Sequence, residues 1–150
     1  MNKTEEWLDC LQSNGYRITA PRRVVVETMA ESQHVLNPFD VYEQARRRYP
    51  RLGLVTVYRT LEKLEELHLI QRVHQPGGCQ AFIAAFSGHQ HLLICVKCGR
   101  VEFFEGDESG IEELIDTISE KSGYQVKEHW LQLFGVCKQC QAAMDEQLLA

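Results

Sequence analysis

The chain has 150 residues, of which 44% are hydrophobic and 25% charged, and this composition indicates an ordinary soluble protein with one domain or two small ones. The formal net charge of -5, taken alone, argues against a nucleic-acid partner. The charge is divided unevenly, however: residues 1–84 carry 11 Lys and Arg against 10 Asp and Glu, whereas residues 85–150 carry 5 against 11. The first half is therefore still able to bind a polyanion.

The sequence contains no feature that predicts export or membrane insertion. Its first six residues, Met1–Glu6, form no apolar signal segment, and no run of about 18 apolar residues exists to span a membrane. We therefore expect a cytoplasmic protein with no membrane partner, in which the cysteine thiols stay reduced.

Amphipathic helices are predicted along the first part of the chain. Trp7, Leu8 and Leu11 share one helical face, and Gly15 is placed to end that helix. Thr19 is a natural N-cap for a second helix, and proline is tolerated in its first turn. The residues expected to face inward from the second helix are Val24, Val25, Thr28 and Met29.

A further helix start is predicted at Asn37-Pro38, and Pro50 is expected to stop that helix. The apolar positions at three-to-four spacing are Val41, Tyr42, Ala45 and Tyr49. The same helix would expose Arg46–Arg48, and this basic run is interpreted as a solvated or phosphate-neighbouring face that reads no bases.

The next helix begins near Val55-Thr56 and runs to Glu65, with Val57, Leu61 and Leu64 as its buried stripe. Two strand-like segments, residues 69–74 and 80–84, then flank the turn residues Pro76-Gly77-Gly78. Helices followed by a β-hairpin predict a winged helix-turn-helix fold.

The last helix before this hairpin is the one that would enter the major groove of DNA. On its open face, Arg59 can reach guanine O6 and N7, and the ring of Tyr58 can contact thymine methyl groups. The alternative is that both residues only form a solvated helix face.

Two Cys-x-x-Cys pairs, Cys95/Cys98 and Cys137/Cys140, are separated by 38 residues. This spacing is typical of a tetrahedral four-thiolate structural Zn2+ site. Disulfides would need an oxidising compartment, and a thioredoxin-like redox motif would leave the second pair unexplained. The prediction is therefore a structural zinc ion.

The second half of the chain predicts a small α/β unit. Residues 92–96, 101–104 and 124–134 are strand-like, and a last helix is expected to begin in the segment 137–140. An intervening helix, closed by Gly123, is marked by Ile111, Leu114, Ile115 and Ile118. The overall fold class is therefore α+β, and two such units pairing sheet to sheet would form a two-fold homodimer.

The motifs Gly15–Arg22, Thr56–Leu61, the His-x-His before the first Cys-x-x-Cys and the second Cys-x-x-Cys together resemble the ferric uptake regulator family of metal-dependent repressors. The resemblance implies a DNA-binding domain over residues 1–84, a hinge over 85–91 and a dimerisation and metal-binding domain over 92–150. It also implies binding to double-stranded DNA at a palindromic operator. The residues expected to contact DNA are Arg17, Thr19, Arg22, Thr56, Tyr58 and Arg59.

A regulatory metal site is predicted at His89, His91, Glu112 and His129. In an extended segment His89 and His91 share one face and can chelate a single ion, and the resemblance adds Glu112 and His129. This set completes a tetrahedral site for Zn2+, or most of an octahedral site for Fe2+ or manganese.

A second regulatory site of the family looks degraded here. The positions that usually supply its ligands hold Gln90, Leu92, Ile83 and Phe103, none of which is a strong ligand. Glu102 stands one residue before the usual glutamate. A substitute site is left open, and its candidate ligands are Cys79, His34 and His74. The helix that precedes the hairpin also differs, because His68 stands where the family commonly has glycine.

The function predicted from these features is metal-responsive repression of genes for metal uptake or homeostasis, with zinc or iron sensed. An iron-dependent peroxide sensor of the same family is an alternative. A zinc-dependent hydrolase that uses the regulatory ligands around a water is a rival from another class. The prediction is that the protein is not an enzyme and has no small-molecule substrate, because a fully ligated ion leaves no place for that water and the sequence has no Ser/His/Asp set or Gly-rich phosphate loop.

Overall fold

The computed structural model describes residues 2–75, 77–86, 91–104 and 109–149. The contacts divide the chain into two compact units, Met1–Phe86 and Ser87–Ala150. The predicted domain limits at residues 84 and 92 stay predictions, since residues 87–90 of the predicted hinge lie outside the described residues. None of the described helices is both long enough and apolar enough to cross a membrane.

The first unit has the predicted winged helix-turn-helix arrangement of helices followed by a hairpin. Its elements are α1 (Lys3–Ser13), α2 (Ala20–Glu31), α3 (Pro38–Ala45), α4 (Leu54–Glu66), β1 (Ile70–His74) and β2 (Gln80–Ala84). Side-chain caps fix two of the helix starts: Thr19 Oγ1 accepts a hydrogen bond from the backbone N–H of Arg22, and Asn37 forms a capping box with Asp40.

The helix α3 is shorter than the sequence pattern predicts. It ends at Ala45 rather than at Tyr49, so Arg46–Arg48 lie in a turn and not on a helix face. The backbone N–H of Arg48 donates to the carbonyl of Ala45, and the Arg48 guanidinium pairs with Glu31 of α2 at 2.7 Å. This turn precedes Leu52, which is buried in the core, so the helical prediction failed because tertiary contacts redirect the chain.

A single apolar core holds the four helices and the hairpin of the first unit together. The predicted stripe of α4, formed by Val57, Leu61 and Leu64, is fully buried in it, as are the apolar residues of α1. The strands β1 and β2 pair in antiparallel register. Leu36, between α2 and α3, exchanges two backbone hydrogen bonds with Phe82 of β2, at 2.9 and 2.8 Å, and so ties the hairpin to the helices.

The second unit contains a three-stranded sheet and two helices. Its elements are β3 (His91–Cys95), β4 (Val101–Phe104), α5 (Ser109–Ser122), β5 (Gln132–Gly135) and α6 (Lys138–Leu149). The strand order is β4-β3-β5, with β3 antiparallel to β4 and parallel to β5.

The strand predicted over residues 124–134 is mostly absent. Residues 124–131 form no regular strand, and Tyr124 and Trp130 are 76% and 73% exposed. The residues that follow, 132–135, pair with β3. The prediction over 124–131 was wrong: β propensity forms a strand only where a partner strand is present, and none of the described strands pairs with these residues.

The second unit has little apolar core of its own. Its buried hydrophobic residues, among those the structure describes, are Leu92, Ile94, Cys95 and Val101. On α5, Leu114 and Ile118 of the predicted inward stripe are exposed. A unit of this size with so few buried side chains needs a metal ion, a partner chain or both in order to be stable.

The helices α1 and α4 end in the same backbone motif but with different residues. After α1, Gly15 has φ of 82°, and the N–H of Tyr16 donates to the carbonyl of Leu11. After α4, His68 has φ of 55°, and the N–H of Leu69 donates to the carbonyl of Leu64. Both ends are Schellman motifs, and only the one at His68 carries a Cβ in the left-handed region.

We expect His68→Gly to raise the free energy of unfolding by about 0.5–1 kcal/mol, because glycine adopts positive φ without steric cost. The measurement is urea denaturation followed by circular dichroism. Gly15→Ala is the matched reverse change: a Cβ at this position would meet no described atom within 4 Å, so any loss comes from the backbone conformation. Equal stability of His68→Gly and the wild type would show that the turn is not strained.

Candidate functional sites

The four cysteines of the two Cys-x-x-Cys pairs meet at one end of the second unit. Cys95 is the last residue of β3, and Cys98 follows in the turn before β4. Cys137 and Cys140 lie at the start of α6, just after β5. Because β3 and β5 are parallel and Cys95 lies opposite Gly135, the two pairs necessarily come together at the same edge of the sheet.

The spacing of the sulfur atoms fits a single tetrahedral metal ion. All four Sγ atoms lie within 4.8 Å of one another, and Cys98 Sγ and Cys137 Sγ are 3.8 Å apart. Four sulfurs at about 2.3 Å from a tetrahedral zinc ion stand about 3.8 Å from each other. The cysteines are free thiols, not disulfides. The donor set therefore fits Zn2+.

The backbone around the cluster is arranged to stabilise negatively charged sulfur. Gly99, with φ of 73°, turns the chain so that its N–H donates to the carbonyl of Cys95. The backbone N–H of Cys137 donates to Cys95 Sγ at 3.3 Å. Burial raises the pKa of Cys95. Hydrogen bonds from the N–H groups of Cys137, Cys98 and Lys97 lower this pKa by more than burial raises it, so that it is about 6.

The pKa of Cys140, in the second Cys-x-x-Cys pair, is shifted in the opposite direction from that of Cys95. A hydrogen bond with Cys137 and burial raise the pKa of Cys140 to about 12. Four adjacent thiolates repel one another, so the Cys140 thiol gives up its proton only when a cation replaces it. The cluster is thus suited to a divalent ion of a thiophilic metal.

The predicted regulatory ligands are only partly brought together. The rings of His91 and His129 lie 5.6 Å apart between centroids, and Phe104 packs against His91. His91 is 2% exposed, whereas Glu112 is an exposed residue in the first turn of α5. His89 lies outside the described residues. Across those residues, only the four cysteines form a group of three or more close ligand atoms, so the regulatory set stays a prediction.

The candidates for the second regulatory site do not form a cluster either. Cys79 and His74 are exposed on the hairpin, and His34 is exposed between α2 and α3. Within the described ranges these three residues form no such group. The carboxylate of Glu102 lies 3.7 Å from Arg100, and Gln90 lies outside the described residues. The substitute site therefore stays a prediction.

The outer face of α4 presents the residues that were predicted to read DNA. Tyr58 is 46% exposed and Arg59 is also exposed, while Thr60 is buried and donates to the carbonyl of Thr56. Thr56 itself is half-buried. Tyr58 and Arg59 thus stand on the open side of a helix whose opposite side is fixed in the core.

The loop between α1 and α2 is held in place by contacts that the sequence did not reveal. Lys63 of α4 lies over the ring of Tyr16, at 5.4 Å, and binds both carboxylate oxygens of Glu66 at 2.9 Å. The Tyr16 hydroxyl donates to Glu66 at 3.4 Å. Because 50 residues separate Tyr16 from Glu66, no local pattern predicts this cluster.

The three predicted DNA contacts near this loop differ in their surroundings. Arg17 is exposed. Thr19 caps α2, and Arg22 donates from Nη1 to the carbonyl of Arg17. Arg22 therefore orders the loop that carries Arg17.

The cations of the first unit fall into two groups. Those bound by a glutamate are Arg46, Arg48, Lys63 and Arg72. Arg17 and Arg59 have no carboxylate partner in the part of the chain that the structure describes, and the same is true of Arg23, Arg47 and Arg51. The unpaired arginines are available for an external anion.

Comparison with known proteins gives one consistent result. Residues 13–134 match the model of the ferric uptake regulator family. The ferric uptake regulation protein of Neisseria meningitidis is 36% identical over 135 residues, which cover 88% of this chain and 91% of that protein.

Solved structures agree with this match. A zinc-bound manganese uptake regulator has a TM-score of 0.70 at 27% identity, with 87% of this chain and 98% of that chain covered. The Helicobacter pylori ferric uptake regulator Fur, described as having three functional metal-binding sites, has a TM-score of 0.69 at 25% identity and 92% and 93% coverage. The chain therefore belongs to the ferric uptake regulator family.

Proposed function

We propose that this protein is a cytoplasmic, homodimeric, metal-responsive repressor that binds a palindromic operator in double-stranded DNA and controls genes of metal uptake or homeostasis. A structural Zn2+ ion and a second, regulatory Zn2+ or Fe2+ ion are its cofactors, and it is neither an enzyme nor a receptor for a small-molecule substrate. The observation that carries the proposal is the exposed face of α4 with an unpaired Arg59, in a chain of this family.

DNA recognition is assigned to α4. In helix-turn-helix proteins the second helix of the motif lies in the major groove, and α4 follows α3 in that position. No described carboxylate competes for the guanidinium of Arg59, so it can bind guanine O6 and N7 at little cost. Arg17, in the loop that Arg22 and Tyr16 hold, is placed to bind phosphate, which orients the protein without reading sequence.

Homodimerisation is assigned to the second unit. This unit exposes Leu114 and Ile118 on α5. It also exposes Trp130, which precedes β5, and Leu133, which lies in β5. The strand β5 is an edge of the sheet, and edge strands readily pair with a second chain. A second copy that covers these side chains would supply the core that one copy lacks, and a two-fold dimer matches the symmetry of a palindromic operator.

The four cysteines are assigned to structural Zn2+. They join the turn after β3 to the start of α6, in a unit with few buried hydrophobic residues. A bound zinc ion supplies four metal–thiolate bonds that exist only in the folded state. The N–H of Cys137 and the turn at Gly99 hold the sulfurs ready for that role.

The regulatory ion is assigned to His91 and His129, with His89 and Glu112 completing the set. The contact between the two rings supports this assignment. His91 is the first residue of β3, so a ligand set there lies next to the segment that joins the two units. His89 belongs to that segment, so an ion bound by His89 together with the other three ligands would restrict it. Metal can favour the DNA-binding arrangement only through a higher affinity for that arrangement.

Cys140→Ser should lose about one zinc ion per chain and unfold or dissociate the second unit, because structural zinc contributes on the order of 10 kcal/mol to the folding of small zinc domains. Elemental analysis and analytical ultracentrifugation measure the two effects. Cys79→Ser is the control, since Cys79 is exposed and lies outside the cluster. A folded Cys140→Ser dimer with full zinc content would disprove the structural role.

Arg59→Ala should weaken specific binding by about 1–3 kcal/mol and relax the base preference, whereas Arg22→Ala should weaken binding about equally on all sequences. Titrations of an operator duplex and of a random duplex measure both effects. Arg47→Ala is the matched control for the loss of one exposed, unpaired cation outside α4, and it should weaken binding to both duplexes about equally. If Arg59→Ala lost the same affinity on both duplexes, Arg59 would not read bases.

His129→Ala should abolish most of the metal-stimulated operator binding, with dimer and cysteine-bound zinc retained. Couplings of this kind typically change affinity about 5–150-fold. His129 is the better test residue because it is only half-buried, whereas His91 is fully buried in the fold. The measurement is operator affinity with and without added zinc, iron(II) and manganese(II).

His68→Gly is the control for this variant, because His68 is an exposed histidine of the first unit that belongs to neither candidate regulatory site. A wild-type metal response in His129→Ala would move the sensor away from the paired histidines, and the hairpin around Cys79 would be the next place to test.

A further inference from the structure

The first turn of α4 exposes apolar side chains that the proposed contacts do not use. Val55 is 63% exposed, Leu54 is 39% exposed, and neither belongs to the core of the first unit. Single exposed apolar residues are common on protein surfaces, but here they stand in one helical turn beside the exposed ring of Tyr58. This turn therefore presents a small apolar surface.

Val55 lies on the same strip of α4 as the two predicted reading residues. It precedes Tyr58 by three positions and Arg59 by four, and residues at these spacings are neighbours on a helix. Val57 and Leu61 occupy the opposite, buried side. Val55 is the member of the strip closest to the N-terminus of α4, and N-terminal residues of a recognition helix are the ones that contact base edges.

No part of the described chain covers this turn. Gly53, the N-cap of α4, makes no side-chain capping bond, and a Cβ placed on it would meet no described atom within 4 Å. Val55 is β-branched and holds essentially one rotamer in a helix, so it loses little entropy when another surface packs against it. The turn is therefore open and already ordered.

The charges around the first turn of α4 indicate which kind of partner would contact it. Arg59 on the strip and Arg51 just before α4 have no carboxylate partner among the described residues, whereas Lys63 in the last turn of α4 is bound by Glu66. A purely apolar protein partner would leave the two free guanidinium groups without counter-charge. Double-stranded DNA supplies both phosphates and apolar groups, and the apolar group in the major groove is the C5 methyl of thymine.

We propose that Val55 is a specificity-determining residue that packs against a thymine methyl group in each operator half-site, next to the base read by Arg59. This inference rests on the proposed function, since it requires α4 to lie in the major groove. It adds a base preference that an aliphatic side chain imposes by shape, without a hydrogen bond.

The test compares thymine with uracil, which lacks only the methyl group. An operator duplex is first selected from random DNA with the wild-type dimer in the presence of zinc. Each thymine of one half-site is then replaced by uracil, and the affinities of the wild type and of Val55→Ala are measured. Besides any thymine that Tyr58 contacts, the wild type should lose about fourfold at one further thymine, the loss expected for one methyl group removed from an apolar contact. Val55→Ala should bind the two duplexes equally at that position.

One control variant and the expected folding of Val55→Ala make the result interpretable. Phe39→Ala removes another exposed apolar side chain, on α3, and should keep the wild-type uracil profile. Alanine is a better helix former than valine, and Val55 is exposed, so Val55→Ala should fold normally. A Val55→Ala profile identical to that of the wild type would overturn the inference while leaving DNA binding intact. Absence of any selected duplex for the wild type would overturn the proposed function itself.

Discussion

The parallel pairing of β3 with β5 is the constraint on which the second unit depends. It places Cys95 opposite Gly135, and the N–H of Val96 donates to the Gly135 carbonyl at 2.8 Å, so the chain leaves β5 directly beside the first cysteine pair. The thiolate cluster follows from this register, because Cys137 comes two residues after the paired Gly135. Since few of the unit's described residues are buried and hydrophobic, hydrophobic burial among them does not offset the conformational entropy lost on folding. Metal–thiolate bonds and a partner chain are the remaining sources of stability, and they explain why apolar side chains of α5 can remain exposed in a single copy.

The first unit is stabilised by its apolar core, without a metal ion. Its helices and hairpin share one core, and α4 contributes Val57, Leu61 and Leu64 to it. Because the inner stripe of α4 is sufficient to fix the helix, its outer strip is free of any folding role. Substitutions at Val55, Tyr58 and Arg59 are therefore expected to leave the stability of the first unit unchanged. Ion pairs such as Arg72 with Glu65, at 2.8 Å, instead neutralise cations that lie away from this strip.

The parts of this structure that could be predicted from the sequence are those with local causes. Thr19 and Asn37 start helices through bonds to residues three positions away, and each Cys-x-x-Cys pair identifies a metal knuckle by its own spacing. The failures have distant causes. The end of α3 is followed by a turn that leads to the buried Leu52, and β5 consists of the residues that pair with β3. The cluster of Tyr16, Lys63 and Glu66 joins two distant segments, and the sequence gives no signal that these side chains meet.

The two kinds of metal ligand in this chain also explain why structure and sensing are assigned to different sites. A cluster of four cysteine sulfurs, with a backbone N–H donated to Cys95, is suited to hold a thiophilic ion tightly, and an ion whose binding is coupled to folding is expected to stay bound in the folded protein. A site that is always filled cannot report a change in metal concentration. A sensor needs ligands whose occupancy changes within the range of concentrations it meets, and imidazoles such as those of His91 and His129 bind less tightly than a full thiolate set because they are neutral. His91 is the first residue of β3 and lies close in sequence to the segment that joins the two units, which is why the proposal assigns the sensing role to the pair it forms with His129.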